Sequence, residues 1–193
     1  MESTGKVRVY IACSLDGFIA GPKGELDWLE QSADKDDDKK SDTQVQAGAV
    51  TFEEMLSNTG CMLMGRTTYD TVVGFGPEMW AYGDIPVHVL THRELPPSKH
   101  NAKAVSGSLQ DAVQNALAAA KGKDVYVDGG SMIRQALDAG LVDDMIITMI
   151  PIVLGKGISL FAGASQRHPL EFYGNFKYNQ TVQLHARPIR KQK

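Results

Sequence analysis

The chain has few cysteines, no excess of basic residues and no long apolar run, and each of these absences excludes a class of protein. Cys13 and Cys61 are the only two cysteines among the 193 residues, and each lies within an apolar run. We interpret them as buried small side chains in a reducing cytoplasm. The five histidines are scattered along the chain, so no metal site is expected.

A formal net charge of −3 provides no basic stripe to neutralise a phosphate backbone, so we expect no nucleic-acid partner. No segment approaches the ~18 consecutive apolar residues that cross a membrane, and no membrane partner is expected. The N-terminus, MESTGKVRVY, lacks the charged and then apolar pattern of a signal peptide. The sequence therefore favours a cytoplasmic globular protein.

What the chain does contain is an alternation of strand-like and helix-like segments. Short apolar runs predict strands at residues 7–15, 61–64, 86–90, 102–105, 124–127 and 145–154. Helical spacing predicts helices at residues 43–56, 109–120 and 131–139, with Ser108 capping the second. The alternating pattern of residues 170–178 and 182–188 predicts a terminal antiparallel hairpin. We expect one α/β domain over residues 1–193, with an open, mostly parallel sheet closed by that hairpin.

Ligands of such sheets bind beyond the carboxyl ends of the strands. That rule selects four loops, at residues 14–17, 65–68, 91–93 and 128–131. Their shared chemistry of glycine, hydroxyl and cation suits an anionic ligand. Each loop has an ordinary alternative: residues 65–68 can be a phosphate cradle or a capped helix with a surface arginine, and the glycine pair at 129–130 can be a simple turn. The pair is not a GxGxxG fingerprint, and the chain contains neither a GxxxxGK[ST] loop nor GxSxG.

Taken together, five stretches resemble a known family. They are IACSLDGFIAG, LMGRTTYD, VLTHR, VYVDGGSMIRQAL and LVDDMIITMIPIVLGKGISLF. In this order they are similar to the dihydrofolate reductase-like superfamily, in the branch of the C-terminal reductase domain of bifunctional riboflavin biosynthesis proteins. The resemblance covers residues 7–187. It implies a three-layer α/β fold, a homodimer, and an NADPH-dependent reductase that transfers a hydride to a small heterocycle such as a pterin or pyrimidine, with 5-amino-6-(5-phosphoribosylamino)uracil as one candidate.

The resemblance also implies roles for individual residues. The phosphates of NADPH would contact Gly65, Arg66, Thr67 and Thr68, and the adenosine 2′-phosphate would contact Thr91, His92 and Arg93. The pyrophosphate would lie over Gly129, Gly130, Ser131 and Met132, with Ile133 close behind. The nicotinamide would lie beside Ala12 and Ile19, and the substrate beside Trp28 and Thr148.

The chain departs from that pattern in two places. Residues 47–51, which correspond to the position of the pterin-pairing carboxylate of true dihydrofolate reductases, contain no acid, and Glu53 and Glu54 fall out of helical register with it. Folate reduction is therefore disfavoured. The deaminase domain that accompanies the riboflavin reductases is also missing from this chain, which favours a stand-alone reductase for another substrate.

Asp128 is the candidate catalytic and substrate-orienting residue, because an acid at a strand end that faces a pocket is costly to bury without a partner. It could instead only cap its own loop. Asp16 and Asp27 are weaker candidates, and Asp16 is expected to make its turn. Two rival functions stay open: a nucleotide-binding protein of this fold without reductase turnover, and a pteridine- or pyrimidine-binding module.

Overall fold

The computed structural model describes residues 5–32, 45–97 and 100–190. The strands are β1 Val7–Ser14, β2 Phe18–Ala20, β3 Thr59–Gly65, β4 Val87–Leu90, β5 Ala102–Val105, β6 Asp124–Asp128, β7 Asp144–Ile150, β8 Ile158–Ser159, β9 Leu170–Tyr178 and β10 Thr181–Pro188. The helices are α1 Phe52–Asn58, α2 Arg66–Gly74, α3 Leu109–Ala120 and α4 Gly130–Asp138. Short 3-10 helices span Asp27–Ser32 and Pro77–Met79.

Eight of these strands form one sheet in the order β5-β4-β3-β6-β1-β7-β10-β9. The first six strands in this order, β5-β4-β3-β6-β1-β7, are parallel. β10 and β9 complete the sheet in antiparallel orientation. β2 and β8 pair separately. The predicted fold class, a mostly parallel sheet with a C-terminal antiparallel hairpin, is confirmed.

Helices cover both faces of the sheet. On one face, residues of α3 and α4 such as Val113 and Ile133 pack with Val9 and Cys61 in one apolar cluster. On the other, Met55 of α1 and Tyr69 of α2 pack with the strands in a second cluster. Both cysteines are buried, as expected. No helix in the described ranges is long and apolar enough to span a membrane.

The helix predicted over residues 43–56 is wrong at its N-terminal end. Residues 43–44 lie outside the described residues, and α1 begins only at Phe52. Thr51 starts it as a capping box: its side chain accepts from the backbone N–H of Glu54, whose carboxylate accepts from the N–H of Thr51. Before that cap, the Gln183 side chain bonds both backbone groups of Val50, at 2.8 Å each. A tertiary contact therefore replaces the first predicted turns of helix.

The strand predicted over residues 145–154 ends early. The apolar run 145–154 pairs as a strand, β7, only as far as Ile150, because Pro151 has no N–H to continue the ladder. Most of the charged loop predicted at residues 32–42 lies outside the described residues. The cap predicted at Ser108 is confirmed, since its hydroxyl accepts from the N–H of Asp111.

Candidate functional site

The carboxyl ends of β3 and β6 place the N-termini of α2 and α4 side by side. Gly65 and Gly129 are the N-cap residues, neither helix has a side-chain cap hydrogen bond, and neither has an acid in its first turn. A cavity of about 310 Å³ lies between them. Its lining is Gly65, Arg66, Thr67, Thr68, Leu90, Gly129, Ser131, Met132 and Gln135. Free N–H groups and two helix dipoles thus point into one space, which we call the polar end of the site.

Gly129 is required by the geometry of this end. Its φ is +92°, and a Cβ there would lie 2.2 Å from Oγ1 of Thr68. No other residue type fits so close to that hydroxyl without a shift of the loop. By contrast, a Cβ at Gly65 would meet only the Met132 side chain, with Cγ at 3.4 Å and Sδ at 4.0 Å.

Arg66 connects the polar end to the loop that follows β4. Its Nε is 2.7 Å from Oδ1 of Asp70, and its Nη1 donates to the carbonyl of Glu94 at 2.9 Å. Thr91, His92 and Arg93 lie on that loop, where the Thr91 hydroxyl accepts from the N–H of Arg93 at 3.1 Å. These three residues line neither the polar cavity nor the neighbouring cleft.

The polar cavity opens into a larger cleft of about 460 Å³, the apolar end of the site. Thr67, Thr68, Gly129 and Ser131 line both spaces. Ala12, Ile19 and Gly130 line the cleft, and the cofactor contacts that the resemblance implies for them stay predictions. Sequence reasoning missed the rest of its wall, which includes Ile11, Leu26, Leu29, Thr71, Val72, Phe75, Tyr82, Arg134 and Ile158.

Asp128 lies at the end of β6 and lines the cleft. The residue as a whole is half-buried, whereas its carboxyl group is enclosed by protein atoms. That burial raises the pKa of Asp128, while the N–H of Gly129, 2.7 Å from Oδ1, and the hydroxyl of Tyr82 partly offset the rise. Asp128 does bond the first residue of its loop, and it also faces the space where a ligand would lie.

The other two acids behave differently. Asp16 accepts from the Ser14 hydroxyl at 2.7 Å and from the N–H groups of Leu154 and Gly155 at 3.1 and 2.7 Å. It therefore makes its own turn, as expected, and joins that turn to the segment after β7. Asp27 is exposed and does not line the cleft.

Three residues assigned by resemblance do not line the cleft. Trp28 is buried, with Nε1 donating to the carbonyl of Glu25 at 3.2 Å, and its neighbours Leu26 and Leu29 reach the cleft instead. Ile133 belongs to the core. Thr148 pairs with Ala12 across β1 and β7, and its hydroxyl is 3.5 Å from the Gln183 amide. Contacts of these residues with a ligand stay predictions.

No acid of α1 reaches the cleft. Glu53 and Glu54 are exposed, and the Glu54 carboxylate belongs to the capping box. A separate cavity of about 200 Å³ lies near the amino ends of β1 and β6, beside the Arg8–Asp124 ion pair. It has no helix N-terminus in its lining, so the carboxyl edge of the sheet is the candidate site.

Comparisons with known proteins match this chain over most of its length. The family model described as the RibD C-terminal domain matches residues 5–184. The uncharacterized protein YwjB of Bacillus subtilis is 29% identical over 181 residues, covering 93% of this chain and 96% of that protein. The crystal structure of a putative riboflavin biosynthesis protein from Shewanella sp. PV-4 is 28% identical, with a TM-score of 0.79 over 96% of this chain and 99% of that one.

A more distant structure shares the fold alone. It is a diaminohydroxyphosphoribosylaminopyrimidine deaminase/5-amino-6-(5-phosphoribosylamino)uracil reductase from Thermotoga maritima, 16% identical with a TM-score of 0.67. The match covers 96% of this chain but 57% of that longer protein. The chain belongs to the RibD C-terminal domain family, whose reductase members have this dihydrofolate reductase-like fold.

Proposed function

We propose that the protein is an NADPH-dependent oxidoreductase that transfers a hydride to a small heterocycle, a pterin, pyrimidine or related ring. One observation carries the proposal: two uncapped helix N-termini and Arg66 form a polar end that opens directly into an apolar cleft containing Asp128. A dinucleotide needs an anion site for its phosphates next to an apolar site for its nicotinamide. A cleft with only one of these features would not suggest a dinucleotide.

The residues present fit that cofactor. The first-turn N–H groups after Gly65 and Gly129 would bind phosphate oxygens, and the missing Cβ at Gly129 keeps the Thr68 hydroxyl close to them. Ala12 and Ile19 would contact the nicotinamide. The bond from Arg66 to the Glu94 carbonyl holds the loop of Thr91, His92 and Arg93 next to the polar end, where a 2′-phosphate would select NADPH over NADH. When bound, the cofactor supplies the hydride.

The acceptor would lie in the apolar end. Leu26, Leu29, Val72 and Phe75 offer apolar contacts for the faces of a flat ring and exclude water from it. Asp128 is the acid that would orient the ring through its polar edge. With both acids of α1 outside the cleft, folate stays a disfavoured substrate, whereas a substrate like that of the Thermotoga reductase is a candidate.

Fluorescence titration with NADPH and NADH tests the proposal. Arg66→Ala removes a charge-assisted contact at the polar end, for which about 1.5–3 kcal/mol, or roughly a tenfold to hundredfold weaker Kd for NADPH, is expected. The matched control is Arg187→Ala, which removes an exposed ion pair with Glu171 on the terminal hairpin and should leave the Kd unchanged. No binding of NADPH by the wild-type protein would reject the reductase.

A different outcome would support the rival function. If NADPH binds but is oxidised by no pterin, flavin or pyrimidine acceptor, the protein is a nucleotide-binding member of the family without turnover. A single domain over residues 1–193 and a cytoplasmic location stay predictions, as does the homodimer. Phe172 and Val182 of the hairpin and Ile189 directly after it are exposed and would lie in a dimer interface. A monomeric mass in solution would refute the homodimer.

A further inference from the structure

The Asp128 carboxyl has a partner that no sequence motif indicated. The side chains of Tyr82 and Asp128 line the same apolar end of the site, and the Tyr82 hydroxyl interacts with the carboxyl there. Tyr82 comes from the loop after the second 3-10 helix, far from β6 in sequence. A loop thus brings a phenol to the one carboxyl group in the described wall of the cleft.

Packing fixes the position of this phenol. Tyr82 is 8% exposed, and its ring meets Trp80 edge to face, with centroids 5.1 Å apart and planes at 81°. Trp80 in turn stacks on His100, at 3.9 Å and 8°, and its Nε1 donates to the Gly83 carbonyl at 3.1 Å. Side chains held in this way keep a hydrogen-bond donor in one place.

We propose that Tyr82 is a positioning residue that holds the Asp128 carboxyl as a proton donor to a ring nitrogen of the acceptor. The proposal rests on the reductase function proposed above. The carbon of an acceptor C=N bond receives the hydride of NADPH, which leaves as NADP⁺. At the nitrogen an N–H bond forms as the O–H bond of Asp128 breaks, and water reprotonates the carboxylate after product release. The acceptor class that fits is a neutral heterocycle with a C=N bond.

The surroundings of Asp128 suit this role. Burial disfavours the charged form of Asp128. Tyr126, on the same strand, brings no positive charge that would offset this, and its hydroxyl donates to the Tyr10 carbonyl. Arg134 of α4 lines the same cleft, with Nη1 donating to the carbonyls of Ser159 and Leu160. Burial raises the pKa of Asp128, whereas the hydrogen bond from the N–H of Gly129 and the interaction with Tyr82 lower it and so offset part of that rise.

The deciding measurement is a ¹³C NMR titration of aspartate carboxyl groups in the protein without ligand, with Asp128→Asn used to assign the resonance. We expect the midpoint of Asp128 to lie above the ordinary value of about 4. Tyr82→Phe keeps the ring and loses the hydroxyl, so it should raise the midpoint further, by about one pH unit. An ordinary midpoint, or the same midpoint in Tyr82→Phe, would overturn the proposal and leave Asp128 as a loop cap.

Turnover adds a second signature. With 7,8-dihydropterin as the acceptor probe, activity should fall as pH rises through the midpoint of Asp128, and Tyr82→Phe should move that fall to higher pH. Asp128→Asn should slow turnover at least about 100-fold, as expected for loss of a general acid, and equal turnover would overturn the donor role. NADPH titrations separate the two proposals. Tyr82→Phe should bind NADPH within twofold of wild type, whereas a wild-type protein that does not bind NADPH would reject the reductase function and leave the NMR titration as the test of the Tyr82–Asp128 pair.

Discussion

The two ends of the site are built in different ways. The polar end consists of two short local motifs, residues 65–68 and 129–132, each of which leads from the end of a strand into the first turn of a helix. The apolar end is assembled from β1, β2, the segment at 24–29, α2, the Tyr82 loop, the end of β6, α4 and β8. The proposed cofactor site therefore depends on backbone geometry that a motif specifies, whereas the proposed acceptor site depends on tertiary packing that no motif specifies.

The largest predicted effect is a loss of NADPH affinity when one methyl group is added at the polar end. Gly129→Ala places a Cβ 2.2 Å from the Thr68 hydroxyl at a φ of +92°, and strain plus displacement of Thr68 should weaken the Kd for NADPH on the order of 100-fold. Gly140→Ala is the matched control, because it also has a positive φ, +67°, but has nothing within 4 Å. The control should lose only stability, about 1–2 kcal/mol. Equal NADPH affinity in the two variants would contradict a cofactor role for the close approach of Gly129.

The next effect tests a tertiary contact outside both ends of the site. Gln183 is fully buried on β10 and bonds both the N–H and the C=O of Val50, next to Thr148. Gln183→Leu leaves those two backbone groups without their partner, which should lower the free energy of unfolding by about 3 kcal/mol. Gln180→Leu, at the exposed turn of the same hairpin, is the control and should change it by less than about 0.5 kcal/mol.

Denaturant titrations give both values, and NADPH titrations of the same variants sharpen the comparison. The polar end does not touch Gln183, so NADPH affinity should survive in Gln183→Leu under conditions where the protein stays folded. Loss of NADPH binding without loss of stability would show that the Gln183–Val50 contact is coupled to the polar end.

What could be predicted from the sequence follows the same division. The mostly parallel sheet and its main strands are predicted correctly, and the loops that meet at the polar end are located, because period, glycine position and helix start are local signals. Tyr82 was missed because WAYGD has no periodicity, and its relation to Asp128 exists only in the folded loop. The start of α1 was misplaced because the spacing of Val45 and Ala49 fits a helix, while Gln183, more than 130 residues away, binds Val50 instead.

The smallest predicted effect is a change of stability with pH. It distinguishes unfolding in acid from titration of a group in the cleft. His88 on β4, the strand that ends at Leu90 of the polar cavity, is 1% exposed, and neither ring nitrogen has a hydrogen-bond partner among the described residues. Burial, with a smaller contribution from Lys103, lowers the pKa of His88 to about 4. Since this pKa lies below the unfolded value of about 6.5, the stability due to the neutral ring is complete above pH 6.5 and is lost as pH falls toward 4.

Between pH 7 and pH 5 this linkage should remove about 2 kcal/mol of unfolding free energy from the wild type. In His88→Leu that part of the pH dependence should disappear, whereas His92→Leu, at an exposed position on the next loop, should keep it. Urea unfolding at both pH values measures the difference. If His88→Leu loses as much stability as the wild type, the buried ring is not the acid-sensitive group of the parallel sheet. Activity lost in acid would then have to be traced to the cleft itself, because no unfolding of β4 would account for it.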